Sequence, residues 1–188
     1  MIIFVCGIHC SGKTSILQHL EINKHISYRC HEIGKDLYYE RKFKPDSQNV
    51  DFELEVAQKE FERDIKLINH DGVVAIETWH PGNLAYASVR NPSSVNNLIE
   101  IARKSPLLYV AKGLWLKMDH AEIHKRSVTF KDDTNWAVDF YKKIDLEIEK
   151  SLISLDLLDN TTILNANETF SDNLQNVTSW LDSCQQAG

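Results

Sequence analysis

One octapeptide constrains this chain more than any other feature. Gly7-Ile8-His9-Cys10-Ser11-Gly12-Lys13-Thr14 satisfies the spacing G-x-x-x-x-G-K-[S/T]. It follows the continuous apolar run Ile2 to Cys6, which reads as a buried parallel strand, and it precedes Ile16, Leu17 and Leu20 at helical spacing. A strand, a glycine-hinged loop and a helix in that order make a seat for phosphate. Backbone N–H groups of Cys10 to Thr14 can converge on the oxygens, and Gly7 and Gly12 carry no side chain to block the approach. Lys13 supplies an ammonium for the β- and γ-phosphates, and the Thr14 hydroxyl supplies a ligand for Mg²⁺. The expected nucleotide-binding residues are Gly7, Cys10, Ser11, Gly12, Lys13 and Thr14.

The remaining periodicities continue an alternation of strands and helices. Ile26 to His31 is a second strand, followed by Glu32 and the break at Gly34. From Asp51 to Ile68 an amphipathic helix is predicted, with Leu54, Ala57, Phe61, Ile65 and Ile68 facing the core and Glu53, Glu55, Glu60, Glu62 and Asp64 facing solvent. Val73 to Ile76 forms a third strand that ends on Glu77, a carboxylate where a buried strand meets open space. The segment Trp79 to Tyr86 then reads as a pocket lining past the sheet edge, where open α/β sheets bind ligands. A helix capped by Ser93 or Ser94 and a strand from Leu107 to Leu116 follow. The mixed-charge stretch 117–133 is an exposed helix and loop, suited to a lid. A long helix carries Ala137, Phe140, Tyr141, Ile144, Ile148, Leu152 and Leu155. Thr161 to Asn165 is the last strand, and Leu174, Val177 and Leu181 mark the last helix. Trp115, Trp136 and Trp180 are expected in the core. The sum is a three-layer α/β/α fold around a five-stranded parallel sheet, as a single domain over residues 1–188.

Composition narrows the function classes. With 188 residues, 43% of them hydrophobic, the chain has enough apolar content for one core of ordinary size. No apolar run reaches the roughly 18–20 residues of a membrane span, and the amino terminus lacks the basic stretch of a secretory signal. Four scattered cysteines make no metal or disulfide framework, so a cytoplasmic protein is expected. The net charge of -6 argues against a nucleic-acid surface. Guanine-specific switches carry an N-K-x-D segment, and the one Asn-Lys pair here, Asn23-Lys24, lacks the acid. A mechanical ATPase needs a second domain or a ring-forming lid, so a small phosphotransferase fits the length.

In order and spacing the chain resembles the P-loop nucleoside and nucleotide kinases, the group that includes deoxynucleoside kinases, thymidylate kinases and NadR-like kinases. Gly7 to Thr14 looks like their phosphate loop, and His31-Glu32 after the second strand is similar to the acid that orients the acceptor hydroxyl. Glu77 resembles their acid near Mg²⁺, His124-Lys125-Arg126 their cationic lid, and Asn165 to Ser171 the place where adenine is held. The resemblance implies ATP and Mg²⁺ as cofactors, with Thr14 and Glu77 at the metal. It also implies Lys13, Glu32 and Arg126 in catalysis, and Asn167 at the nucleotide. The acceptor-side candidates are Glu32, Trp79, Asn83, Tyr86 and Arg90, with Tyr38, Tyr39 and Arg41 nearby. The chain departs from the family where Glu77 is followed by Thr78 instead of the usual arginine. Arg90, Lys125 and Lys131 are candidate replacements for missing cations. The expected activity is transfer of the γ-phosphate to a nucleoside or nucleotide, with a homodimer left open. The alternatives are a kinase of another small molecule and a regulatory nucleotide-binding module without catalysis.

Overall fold

The strand that feeds the phosphate loop is the middle strand of the sheet. A computed structural model of the chain describes residues 1–41, 49–129 and 134–186. In it β1 (Ile2–Cys6) pairs in parallel with β3 (Val74–Glu77) on one side and β4 (Lys112–Lys117) on the other. β2 (Tyr28–Cys30) and β5 (Thr161–Asn165) complete the order β2-β3-β1-β4-β5. Every pair is parallel, so Cys6, Cys30, Glu77, Lys117 and Asn165 end at one edge of the sheet. Parallel strands need covering on both faces, and the residues of β1 and β3 are all buried.

The helices are α1 (Lys13–Ile22), α2 (Ile33–Arg41), α3 (Val50–Leu67), α4 (Trp79–Arg90), α5 (Val95–Ala102), α6 (His120–Thr129), α7 (Thr134–Ser154) and α8 (Phe170–Gln186). Their main contacts fall into two sets, α1 with α8 and α2 to α7 among themselves, as a three-layer α/β/α arrangement requires. The five-stranded parallel α/β fold expected from the sequence is the fold observed.

Several expectations are corrected. The second strand spans only Tyr28–Cys30, because Ile26 is buried in the preceding turn. The strand expected over 107–116 begins only at Lys112. Pro106–Tyr109 is a 3₁₀ turn opened by Ser105, whose hydroxyl accepts from Leu107 N.

The segment Trp79 to Tyr86, which the sequence marks only as pocket lining, is the start of α4. Pro81 and Gly82 hid the helix from propensity, but a proline in the first turn gives up an N–H that has no intrahelical partner anyway. Burial of Trp79, Leu84, Ala85 and Ala87 then decides the matter.

The third helix is turned about its axis from the expected setting. Ile65 and Ile68 are 48% and 52% exposed, while Glu60 and Asp64 are 0% exposed and Glu53 3%. A buried carboxylate is costly unless paired, and each of these is paired. Glu53 takes Arg90 Nε and Nη2 at 2.9 and 3.0 Å and Asn91 Nδ2 at 2.9 Å. Asp64 accepts from Trp79 Nε1 at 2.9 Å and Ser105 Oγ at 2.6 Å, and its Oδ2 lies 3.0 Å from His80 Nε2. The other His80 ring nitrogen lies 3.3 Å from Glu60. The helix starts where Asn49 caps it, its side chain accepting from Phe52 N at 2.9 Å. Trp115 is fully buried as expected, whereas Trp136 is 36% exposed and stacks on Phe140, and Trp180 is half-buried with its indole N–H on Thr162.

Candidate active site

Between β1 and α1 the loop takes the backbone its glycines allow. Gly7 has φ +149° and Gly12 φ +93°, both in the region that disfavours side chains. A Cβ on Gly7 would lie 2.7 Å from Leu116 O and 2.8 Å from Ser11 Oγ. Gly12 is the N-cap of α1 and offers no side-chain cap, so the first N–H groups of the helix are open to an anion. Lys13 is buried, and its Nζ donates to Gly7 O at 2.8 Å and Ile8 O at 2.9 Å, which folds the ammonium over the loop.

Beside the loop, the Thr14 hydroxyl donates to Glu77 Oε1. Glu77 is buried at the end of β3, and among the described residues it makes no ion pair. Its turn is strained: Thr78 has φ +67° and ψ -59°, and Trp79 φ +52°, conformations that cost on the order of 1–3 kcal/mol each. A buried carboxylate with a hydroxyl and no cation is a fitting pair of ligands for Mg²⁺, whose other ligands would be phosphate oxygens and water. Among the described residues no group of three or more His, Cys, Asp or Glu side chains is arranged to hold a metal by itself.

These groups line one cavity of about 680 Å³ over the carboxyl ends of β1, β2 and β3. Cys10, Lys13 and Thr14 form its donor end; Glu32, Asn83, Tyr86 and Arg90 lie on its walls with Tyr38, Tyr39, Phe140 and Tyr141. Burial pushes the Glu32 carboxyl above its ordinary range, opposed by the nearby Lys13 charge and assisted by that of Glu77. Arg126, from α6, reaches back across the loop: Nη1 donates to Cys10 O at 3.1 Å and Nη2 to Ala166 O at 2.6 Å, while Nε pairs with Glu122. The structure therefore brings Lys13, Thr14, Glu32, Glu77, Asn83, Tyr86, Arg90 and Arg126 together. Ser11 is buried beneath the loop.

Other candidates stand elsewhere. Trp79 is fully buried against Phe4 and Asp64, so it supports the floor of the site and cannot stack on a ligand. Asn167 is absent from the cavity wall; its side chain accepts from Asp119 N at 3.0 Å and pins the loop after β5 to the start of α6. Lys125 is exposed beside Glu122, away from the cavity. Lys131 and the end of the expected lid, 130–133, lie outside the described residues. Arg90 is not a spare cation, because Glu53 engages its guanidinium on two nitrogens.

Sequence reasoning missed Glu53 and several residues of the cavity wall, Lys35, Phe140 and Tyr141 among them. Glu53 was assigned to solvent, and only its spacing from Ala57, Glu60, Asp64 and Leu67, a buried stripe of steps three and four, could have revealed it. Phe140 and Tyr141 were assigned to the core alone, yet they also wall the cavity.

No family model matches the chain, and no curated protein matches its sequence. Solved structures do match. Deoxyadenosine kinase from M. mycoides with bound dATP has a TM-score of 0.71 at 10% identity, covering 97% of this chain and 100% of that one. YorR from Bacillus subtilis in complex with phosphorylated GDP has a TM-score of 0.61 at 17% identity, covering 100% and 99%. The fold is that of the P-loop nucleoside and nucleotide kinases. NadR in complex with NR shares the kinase fold at a TM-score of 0.63 and 15% identity, covering 87% of this chain, which spans only 43% of NadR. At these identities the likeness speaks for the kinase fold and leaves the activity to the site.

Proposed function

We propose that the chain is an ATP- and Mg²⁺-dependent phosphotransferase that moves the γ-phosphoryl group of ATP to a hydroxyl of a small acceptor, a nucleoside or nucleotide. The observation that carries this reading is the single cavity in which Lys13, the Thr14–Glu77 pair and Glu32 face one another. The bound nucleotides of the similar structures and the aromatic walls Tyr38, Tyr39, Phe140 and Tyr141 support a flat heterocyclic acceptor.

Phosphoryl transfer asks mainly for positioning and charge balance. Lys13 offers its ammonium to the β- and γ-oxygens from the loop it already spans. The open amides of the loop and of α1 hold the phosphates. Mg²⁺, when bound by Thr14 and Glu77, would neutralise phosphate charge as a Lewis acid. Glu32, whose carboxyl burial raises, is suited to accept the acceptor's hydroxyl proton as the new O–P bond forms and the bond to the β-phosphate oxygen breaks. Arg126 fixes the loop by its hydrogen bonds to the Cys10 and Ala166 carbonyls. No helix among the described residues is long and apolar enough to cross a membrane, which accords with the cytoplasmic location we infer.

The test is acceptor-stimulated release of ADP across a panel of nucleosides and nucleoside monophosphates. Turnover with one class is expected; none across the panel would reject the nucleotide-kinase reading. One observation favours a binding module instead: both site arginines are already engaged by protein groups. Glu32→Gln and Arg126→Ala separate the readings, since a kinase loses turnover in these variants while keeping ATP binding.

A further inference from the structure

The Tyr86 hydroxyl stands where the two halves of the cavity meet. It comes from α4, the helix whose Asn83 and Arg90 line the acceptor wall, yet it accepts a hydrogen bond from the backbone N–H of His9 in the phosphate loop at 3.0 Å. An oxygen on a loop amide occupies the kind of position that the loop reserves for phosphate oxygens. Because the phenol oxygen accepts from His9, its own proton is left to be donated. The His9 ring stacks on Tyr141, centroids 5.6 Å apart, which fixes the amide that Tyr86 meets. The Tyr86 ring is held by the Arg90 guanidinium 5.4 Å from its centroid and by Phe140 at 6.3 Å.

We propose that the Tyr86 hydroxyl is a direct contact of the γ-phosphoryl group, donating a hydrogen bond to it from beside the His9 amide. The inference deepens the phosphotransferase reading and rests on it for the transfer step. Burial, and then the charge of Glu32, hold the phenol well above its ordinary value, so it stays protonated and able to donate. A neutral donor suits the place, since Arg90 is committed to Glu53 and Arg126 to two carbonyls. Charge on the phosphoryl oxygens that changes during transfer would be met there by a fixed dipole, which needs no reorganisation.

The experiment compares Mg²⁺–AMP-PNP with Mg²⁺–ADP binding by calorimetry in the wild-type chain and in Tyr86→Phe. The variant keeps the ring and removes only the oxygen. Expected is a loss of about tenfold in affinity for AMP-PNP, or 1.4 kcal/mol, with ADP unchanged. Normal ADP binding also shows that the variant is folded at the loop. Equal weakening of both nucleotides, or of neither, would overturn the proposal. In turnover, kcat should fall by roughly 100-fold with the acceptor KM held; a rise in acceptor KM at constant kcat would assign the hydroxyl to the acceptor and reject the phosphoryl contact. If no acceptor supports turnover, the kinase reading fails, while the AMP-PNP and ADP comparison still decides the contact.

Discussion

Glu32 is a carboxyl within range of the charges of Lys13 and Glu77, and its environment has a measurable consequence. Burial raises its proton affinity in the folded chain above that of the unfolded one. As pH rises past the ordinary carboxyl range, the unfolded chain releases this proton first, so folding loses stability through that window. Glu32→Gln removes the loss. Its melting temperature relative to wild type should therefore rise as pH increases above the ordinary carboxyl range, while phosphoryl transfer falls. A constant difference over that increase would show that Glu32 is not perturbed. Lys13 and Thr14 were legible from the spacing of the loop and Glu77 from its place at a strand end, whereas Glu32 was singled out through the family resemblance. The place of Trp79 was not legible, since its indole N–H is satisfied by Asp64, 15 residues earlier.

At the scale of elements, α3 is the informative case. Periodicity in its apolar residues pointed to a stripe through Ile65 and Ile68, but the buried stripe is Glu53, Ala57, Glu60, Asp64 and Leu67. The acids win because α4 and the turn before β4 bring Arg90, His80, Trp79 and Ser105 to meet them. Burial raises the Glu60 carboxyl, opposed by His80 and Arg63. Leu67→Ala should cost about 2–5 kcal/mol by urea denaturation, whereas Ile65→Ala, on the exposed face, should stay within about 0.5 kcal/mol. Equal losses would restore the helix setting that the apolar periodicity suggests. Glu53→Ala leaves Arg90 and Asn91 without their partner and should destabilise by about 3–5 kcal/mol. A double change with Arg90→Met should recover part of this, measured as a double-mutant cycle. If the two losses simply add, the pair is not coupled.

For the whole molecule, the net charge of -6 describes composition and not a uniform acidic surface. Three of the acids on α3 are buried in pairs, and the cavity gathers Lys13, Lys35, Arg90 and Arg126 around Glu32 and Glu77. A ligand that binds only the folded chain stabilises it by about 2.7 kcal/mol at one hundred times its Kd. For a chain of this length that corresponds to a rise of roughly 5–10 °C in melting temperature. Mg²⁺–ATP should produce such a rise, chelation of the metal should diminish it, and Lys13→Ala should abolish it; an undiminished rise in Lys13→Ala would contradict the phosphate-loop assignment.

The sequence by itself determined the loop, the alternation of strands and helices and the acid that ends the third strand, because these depend on contiguous residues: glycines at fixed spacing, apolar runs and their abrupt polar ends. Only the tertiary structure decided which face of α3 is buried, that Trp79 to Arg90 is a helix, and that Tyr86 meets His9. Those outcomes turn on polar groups satisfying one another across 15 to 77 residues of chain, and a buried charge or indole declares its cost only once its partner is in place.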